Sequence, residues 1–215
     1  MKRVSQFALT AILTLTAWLC ATGASAQKHV YPDYDNELPK LKVNALGKRP
    51  NILDFATTYL NYTKEEGELY SAVDVELQKY LKRKPLSKDV TFIVDTKNGY
   101  MKYEVDFKEA NEQTVVEMCY WNCADGMQKL FCVNTYLIMD GEYASTEFTG
   151  REFFVYDNAT KEMRMILSED IGALFDGDGV SVFFLPRKGK DIKVSVGASG
   201  ERWEEKLVWN GFDFQ

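Results

Sequence analysis

The sequence predicts an α+β fold, in which an N-terminal pair of helices packs on a mostly antiparallel β-meander of about seven to nine strands. Helical periodicity is confined to residues 51–84. From residue 89 onward, short apolar or alternating runs are separated by turn dipeptides such as Asp-Gly and Asn-Gly. Because the helices precede the strands and do not alternate with them, a parallel α/β fold is excluded, while a curved sheet, a sandwich and an open barrel remain alternatives.

The first 26 residues have the pattern of a secretory signal peptide. Lys2 and Arg3 form a charged start, residues 7–19 are apolar, and Ala24-Ser25-Ala26 supplies a small-x-small cleavage site. The apolar run is shorter than the roughly 20 residues that a membrane-spanning helix needs. We therefore expect an exported protein, periplasmic or secreted, without membrane insertion.

Chain length and net charge limit the possible domain organisation and the possible classes of binding partner. A chain of 215 residues fits an extended lead-in over residues 27–50 followed by a single α+β domain over residues 51–215. The formal net charge of −6 excludes a nucleic-acid partner, since phosphate binding depends on clustered cations. The negative net charge is compatible with a protein or glycan partner. The sequence does not indicate an oligomeric state.

The two helices follow from apolar spacing. Ile52, Phe55, Ala56, Tyr59 and Leu60 fall on one helix face, with Asn51 before them as a capping residue. A second apolar face begins at Leu69, after Gly67, and ends before Pro85.

The strands are predicted as successive hairpins. A two-residue turn at Asn98-Gly99 would place Phe92 opposite Val105 and Val94 opposite Tyr103. Further hairpins are predicted over residues 119–132, 151–167 and 182–196, and a last strand near residues 206–209.

Three cysteines lie in the hairpin over residues 119–132. A two-residue turn at Asp125-Gly126 would place Cys119 opposite Cys132 on a non-hydrogen-bonded pair, and we expect a disulfide between them in an oxidising compartment. A Cys123–Cys132 bond is the second alternative, since it needs a longer loop. A redox pair or a zinc site is less well supported, because the chain has one histidine and too few ligands.

Three further features bear on candidate sites. His29 lies on the proline-containing lead-in, where a catalytic base is not expected to be held in place. Asp176 and Asp178 alternate with glycines and are candidate Ca²⁺ ligands, although two successive Asp-Gly turns explain them better. Trp121, Trp203 and Trp209 could stack on a ligand or serve as core residues. No cofactor other than this Ca²⁺ is indicated.

The function expected from these features is that of a non-enzymatic binding or interaction module. The alternative is a carboxylate-based hydrolase of a polysaccharide or cell-wall substrate, which would need two facing carboxyl groups in a cleft. A structural subunit of a surface assembly is a third hypothesis.

Overall fold

The structure is a computed structural model that describes residues 27–34, 37–45, 47–65, 67–144, 149–175, 180–198 and 201–215. Its helices are α1 (Ile52–Tyr62) and α2 (Glu68–Leu81), with short 3₁₀ turns at Thr63–Glu65 and Glu169–Ile171. Its strands are β1 (Lys40–Lys42), β2 (Val90–Asp95), β3 (Tyr100–Phe107), β4 (Glu112–Asn122), β5 (Gln128–Met139), β6 (Glu142–Ala144), β7 (Gly150–Asp157), β8 (Glu162–Ile166), β9 (Val180–Phe184), β10 (Ile192–Ala198) and β11 (Glu201–Leu207).

These strands form two antiparallel sheets. The large sheet has the order β1-β8-β7-β5-β4-β3-β2, with β6 paired to β5, and the small sheet has the order β11-β10-β9. The large sheet is open, since β1 and β2 are its two edge strands. The predicted α+β fold with a mostly antiparallel sheet is therefore confirmed, with more strands than expected among the described residues.

The large sheet separates two apolar cores. On one face, α1 and α2 pack against alternate residues of β3, β4, β5 and β7 through a cluster that includes Phe55, Tyr59, Met118, Phe131 and Phe154. On the other face, residues of the small sheet pack against the intervening residues of β4, β5 and β7. The period-two alternation of strand side chains produces this division.

Helix α1 begins where the sequence predicts it. The Asn51 side chain accepts from Leu53 N at 2.8 Å, and the Asp54 carboxylate accepts from Asn51 N at 2.9 Å, which together form a capping box. Gly67 precedes α2 with a backbone conformation that breaks the helical run.

The strand register of the first hairpin differs from the predicted register by two residues. Phe92 pairs with Tyr103 and not with Val105, because the loop has four residues, 96–99. The Asp95 side chain holds this wider loop by accepting from Asn98 N at 3.2 Å and from Asn98 Nδ2 at 2.9 Å. A shift of two residues keeps every side chain on its predicted face.

The lead-in over residues 27–50 is extended, as expected, and it joins the fold. Strand β1 pairs with β8, and Tyr31 is only 2% exposed. The Tyr31 hydroxyl donates to Phe212 O at 2.6 Å, while Arg164 Nη2 donates to Tyr31 O at 3.0 Å. The segment is thus attached to β8 and to the C-terminal residues.

Candidate functional site

A groove of about 1280 Å³ lies on the helical face of the large sheet. Its floor consists of side chains of β3, β4 and β5 that lie beside the first turn of α2. The floor residues share the helix-facing side of these strands by alternation: Tyr103, Val105, Thr114, Val133, Thr135 and Leu137. The first turn of α2 forms one wall through Glu68, Leu69 and Ala72.

The groove ends at an apolar rim that is open to solvent. Phe107 on β3 and Met139 on β5 line it, and their side chains are 49% and 43% exposed. Exposed large apolar side chains beside a concave surface are typical of a binding site.

A row of polar contacts lies between the helices and the floor. The Tyr59 hydroxyl donates to Glu152 Oε1 at 2.9 Å, and the Tyr70 and Thr135 hydroxyl oxygens are 3.5 Å apart. The Tyr59 and Tyr70 rings meet edge to face at 5.4 Å. Burial raises the pKa of Tyr59, so this residue stays a neutral hydrogen-bond donor.

A buried carboxyl group, Glu117, lies on the opposite face of the sheet. Its carboxylate accepts from the Tyr100 hydroxyl at 2.6 Å and from Leu185 N at 2.9 Å, and Asn134 Nδ2 lies 3.5 Å away. Burial raises the pKa of Glu117, although these donors and the charge of Lys102 act in the opposite direction. Leu185 directly follows β9, so Glu117 connects the two sheets.

Glu117 was not predicted as a site residue, although the sequence contains one signal for it. It lies in the strand sequence VVEMCYW, where it is the single charge on a face that otherwise carries Val115, Cys119 and Trp121. A charged residue at a core-facing position is nearly always paired.

Arg151 borders the same intersheet region. Its guanidinium carbon lies 3.0 Å from the centroid of the Phe183 ring, and Nη2 donates to Ala173 O at 3.1 Å. Burial lowers the pKa of Arg151 to about 10, which leaves it charged at neutral pH. Its contacts fix β7 against the small sheet.

The predicted pairing of Cys119 with Cys132 is present, but the predicted disulfide is not formed. Cys119 is directly opposite Cys132 in the register, and Cys119, Cys123 and Cys132 are all buried free thiols. Burial raises the pKa of both paired thiols, and it raises the pKa of Cys123 to about 11.

The disulfide is absent because Cys119 and Cys132 form a hydrogen-bonded pair of the hairpin and not a non-hydrogen-bonded one. Cys123 N donates to Gln128 O at 3.1 Å, so the loop contains residues 124–127 and the 123/128 pair is hydrogen-bonded. Bonded pairs recur at every second residue, which makes 119/132 a bonded pair as well. The Cβ atoms of such a pair are about 5.5 Å apart, whereas a disulfide needs roughly 3.5–4.5 Å.

The three predicted stacking residues are not brought together at the surface. Trp121 and Trp209 are buried with ring centroids 5.9 Å apart, and Trp121 Nε1 donates to Lys190 O at 2.7 Å. These two are core residues, because they fill the space between the sheet and the C-terminal turn. Trp203 on β11 is 47% exposed and remains the one accessible member of the predicted set.

His29 is better positioned than the sequence suggested. Its ring stacks on Phe212 at 4.5 Å and meets Tyr31 edge-on at the same distance. These contacts make it part of the docked lead-in.

The candidate Ca²⁺ ligands Asp176 and Asp178 and the predicted signal peptide lie outside the described residues. Within the described ranges, no three His, Cys, Asp or Glu side chains converge as metal ligands.

Comparison with known proteins gives no relative. The chain matches no family, no curated protein and no solved structure. Among the described helices, none has the length and apolar character needed to cross a membrane. The geometry of the groove is therefore the basis for proposing a function.

Proposed function

We propose that this protein is an exported binding module whose ligand occupies the groove beside α2. The ligand is an elongated molecule with an apolar body and a neutral or cationic polar end. The observation that carries this proposal is the groove itself, which apolar and threonine side chains of β3, β4 and β5 line beside α2 and which opens to solvent at Phe107 and Met139.

The size of the groove favours an elongated ligand over a compact one. Small-molecule sites usually enclose about 300–1,000 Å³, and this groove, at about 1280 Å³, is larger. Each methylene that leaves water against such a floor contributes about 0.8 kcal/mol. An acyl or alkyl chain lying along β3, β4 and β5 would use this surface well.

The charges of the lining favour a neutral or cationic polar end. Glu68, Glu112 and Glu152 line the groove, while its one guanidinium, Arg151, contacts Phe183 and Ala173. An anionic head group would meet carboxylates, whereas an ammonium or hydroxyl group would find acceptors.

Two of these acids, Glu112 and Glu152, do not form the pair that the alternative hydrolase needs. Glu112 is opposite Met139 and Glu152 is opposite Val133, so they are six residues apart along the sheet and two strands apart across it. Their Cα atoms are therefore about 20 Å apart, whereas glycosidase carboxyl groups lie about 5–10 Å apart. Glu117, whose pKa is raised, lies on the other face of the sheet. This geometry favours binding over hydrolysis.

A fluorescence assay tests the proposal. N-phenyl-1-naphthylamine, a neutral apolar probe, should brighten on adding the protein. Three competitors with the same decyl chain should then displace it differently: decyltrimethylammonium and decyl glucoside well, and decanoate poorly, all below their micellar concentrations. Leu137→Arg should abolish binding, while Leu174→Arg, at a 52% exposed position that does not line the groove, should leave it unchanged. A failure of the probe to bind would contradict the proposal, and equal displacement by decanoate would contradict its charge preference.

A further inference from the structure

We propose that strand β2 is a docking edge for an acidic, extended polypeptide segment, which adds to the large sheet as a further antiparallel or parallel strand. This surface is separate from the groove and does not depend on the function proposed for it. Two independent features of β2 carry the inference, namely its free backbone groups and the charges at its ends.

The first feature is the unpaired outer edge of β2. Asp106 N donates to Asp89 O at 3.4 Å, which fixes the phase of the β2–β3 ladder. Residues 91, 93 and 95 therefore direct their backbone groups to β3, while residues 90, 92 and 94 direct theirs outward. Within the described part of the chain, the N–H and C=O groups of Phe92 and Val94 have no hydrogen-bond partner.

Natural edge strands usually carry devices that prevent pairing, such as an inward charge, a proline or a bulge. The central residues of β2, Thr91 to Val94, include none of these. The Phe92 and Val94 side chains pack partly against the helical core, and β2 is an edge strand of the large sheet. The strand is thus a template for β-augmentation.

The second feature is a concentration of cations around both ends of β2. The last turn of α2 contacts the strand, with the Tyr80 and Phe92 rings 6.0 Å apart. That turn leads directly into three exposed cations, Lys82, Arg83 and Lys84. At the other end, Arg187 Nε lies 3.1 Å from the Asp95 carboxylate, so its loop is adjacent to the strand.

Further exposed cations, Lys88, Lys97 and Lys188, occupy the same connecting segments. This positive region stands out on a chain whose formal net charge is −6. Opposite charge attracts the partner and guides its approach, while the free backbone groups select an extended chain. A second copy of β2 would bring like charges together at both ends and is disfavoured for that reason.

Peptide binding measured by fluorescence anisotropy tests this inference on the folded protein. The probe is a fluorescein-labelled peptide of Val-Thr repeats flanked by glutamates on both sides. One matched peptide carries lysines in place of the glutamates, and another carries an N-methyl group on every backbone amide of the Val-Thr repeats, so that neither of its edges can donate. We expect the first to bind and the other two to fail, with new protection of the Phe92 and Val94 amides in hydrogen exchange.

The protein variants separate this site from general charge effects. Lys82→Glu combined with Lys84→Glu should weaken peptide binding by about tenfold or more. Lys42→Glu combined with Lys193→Glu changes the net charge equally at exposed positions, on β1 at the opposite edge of the large sheet and on β10 of the small sheet, and should have little effect. Equal binding of the N-methylated peptide, absence of binding by the acidic peptide, or tighter binding to phosphatidylglycerol vesicles that displaces the peptide would each overturn the inference.

Discussion

At the residue scale, Glu117 forms a buried polar connection between the two sheets. Three donors from β3, β5 and the end of β9 converge on one carboxylate that is 5% exposed. Without this carboxylate, Leu185 N would stay buried and unpaired, at a cost of about 1–3 kcal/mol.

The raised pKa of Glu117 predicts a particular pH dependence. The folded state binds the carboxyl proton more tightly than the unfolded state, whose value is about 4.3. The contribution of Glu117 to the free energy of unfolding is therefore fully present below that value and is lost as the pH rises through the folded-state pKa. Urea denaturation should show Glu117→Gln becoming more stable relative to the parent as the pH rises from about 4 to about 8.

Glu117→Leu serves as the companion variant, because it removes the acceptor as well as the charge. It should lose about 2 kcal/mol more than Glu117→Gln at neutral pH. A constant stability difference between Glu117→Gln and the parent at every pH would contradict the raised pKa. Equal stabilities of the two variants would contradict the role of the acceptor.

The state of the thiols is a second prediction at this scale. Because Cys119 and Cys132 are buried free thiols with raised pKa values, iodoacetamide should not label either one in the folded protein. In urea without any reductant, both should be labelled, as peptide mass spectrometry would show. A peptide that links Cys119 to Cys132 would contradict the free-thiol state.

At the element scale, the lead-in is the segment whose importance the sequence least indicated. Three prolines and the lack of a period predicted little more than an extended chain. The contacts of Tyr31 depend on Phe212 and Arg164, which lie more than a hundred residues further along the chain. No local pattern reveals partners at that separation.

Tyr31→Ala measures the strength of this attachment. Removal of a buried aromatic ring should lower the free energy of unfolding by about 3–5 kcal/mol in urea denaturation. Val30→Ala, at the neighbouring position that is 83% exposed, should change it by less than about 0.5 kcal/mol. Similar effects of the two substitutions would mean that the lead-in is not docked in solution.

The cap of α1 is the element-scale feature that the sequence predicted best. Asn51→Ala should cost about 1 kcal/mol, since Leu53 N loses its acceptor. Asn61→Ala, at an exposed position within the same helix, should be neutral or slightly stabilising because alanine is the better helix former. Thermal unfolding of the two variants checks both signs. A loss at Asn61 as large as that at Asn51 would contradict a capping effect.

Strand pairing was predicted less completely than helix position. Alternation placed residues on the correct faces, but the loop lengths at residues 96–99 and 124–127 depend on side-chain hydrogen bonds and on the choice between bonded and non-bonded pairs. Because of the first wrong loop length, the predicted β2–β3 register was off by two residues. Because of the second, the predicted separation of the Cys119 and Cys132 Cβ atoms was too short. Hydrophobic pattern alone does not determine either feature.

At the scale of the whole molecule, the three layers determine where binding surfaces remain. Helices α1 and α2 cover one part of the large sheet, the small sheet covers the opposite face, and the groove and the β2 edge are what these layers leave accessible. The sequence predicted helices before strands, but it did not predict that β9, β10 and β11 form a separate sheet. That arrangement depends on long-range packing between β9 and the strands β5 and β6.

The measurement that tests the account most directly is displacement of N-phenyl-1-naphthylamine from the parent protein, from Leu137→Arg and from Leu174→Arg. If the groove is the binding site, the parent and Leu174→Arg bind the probe and release it to decyltrimethylammonium in preference to decanoate, while Leu137→Arg does not bind it. Unchanged binding by a folded Leu137→Arg protein would contradict the claim that this groove holds the ligand.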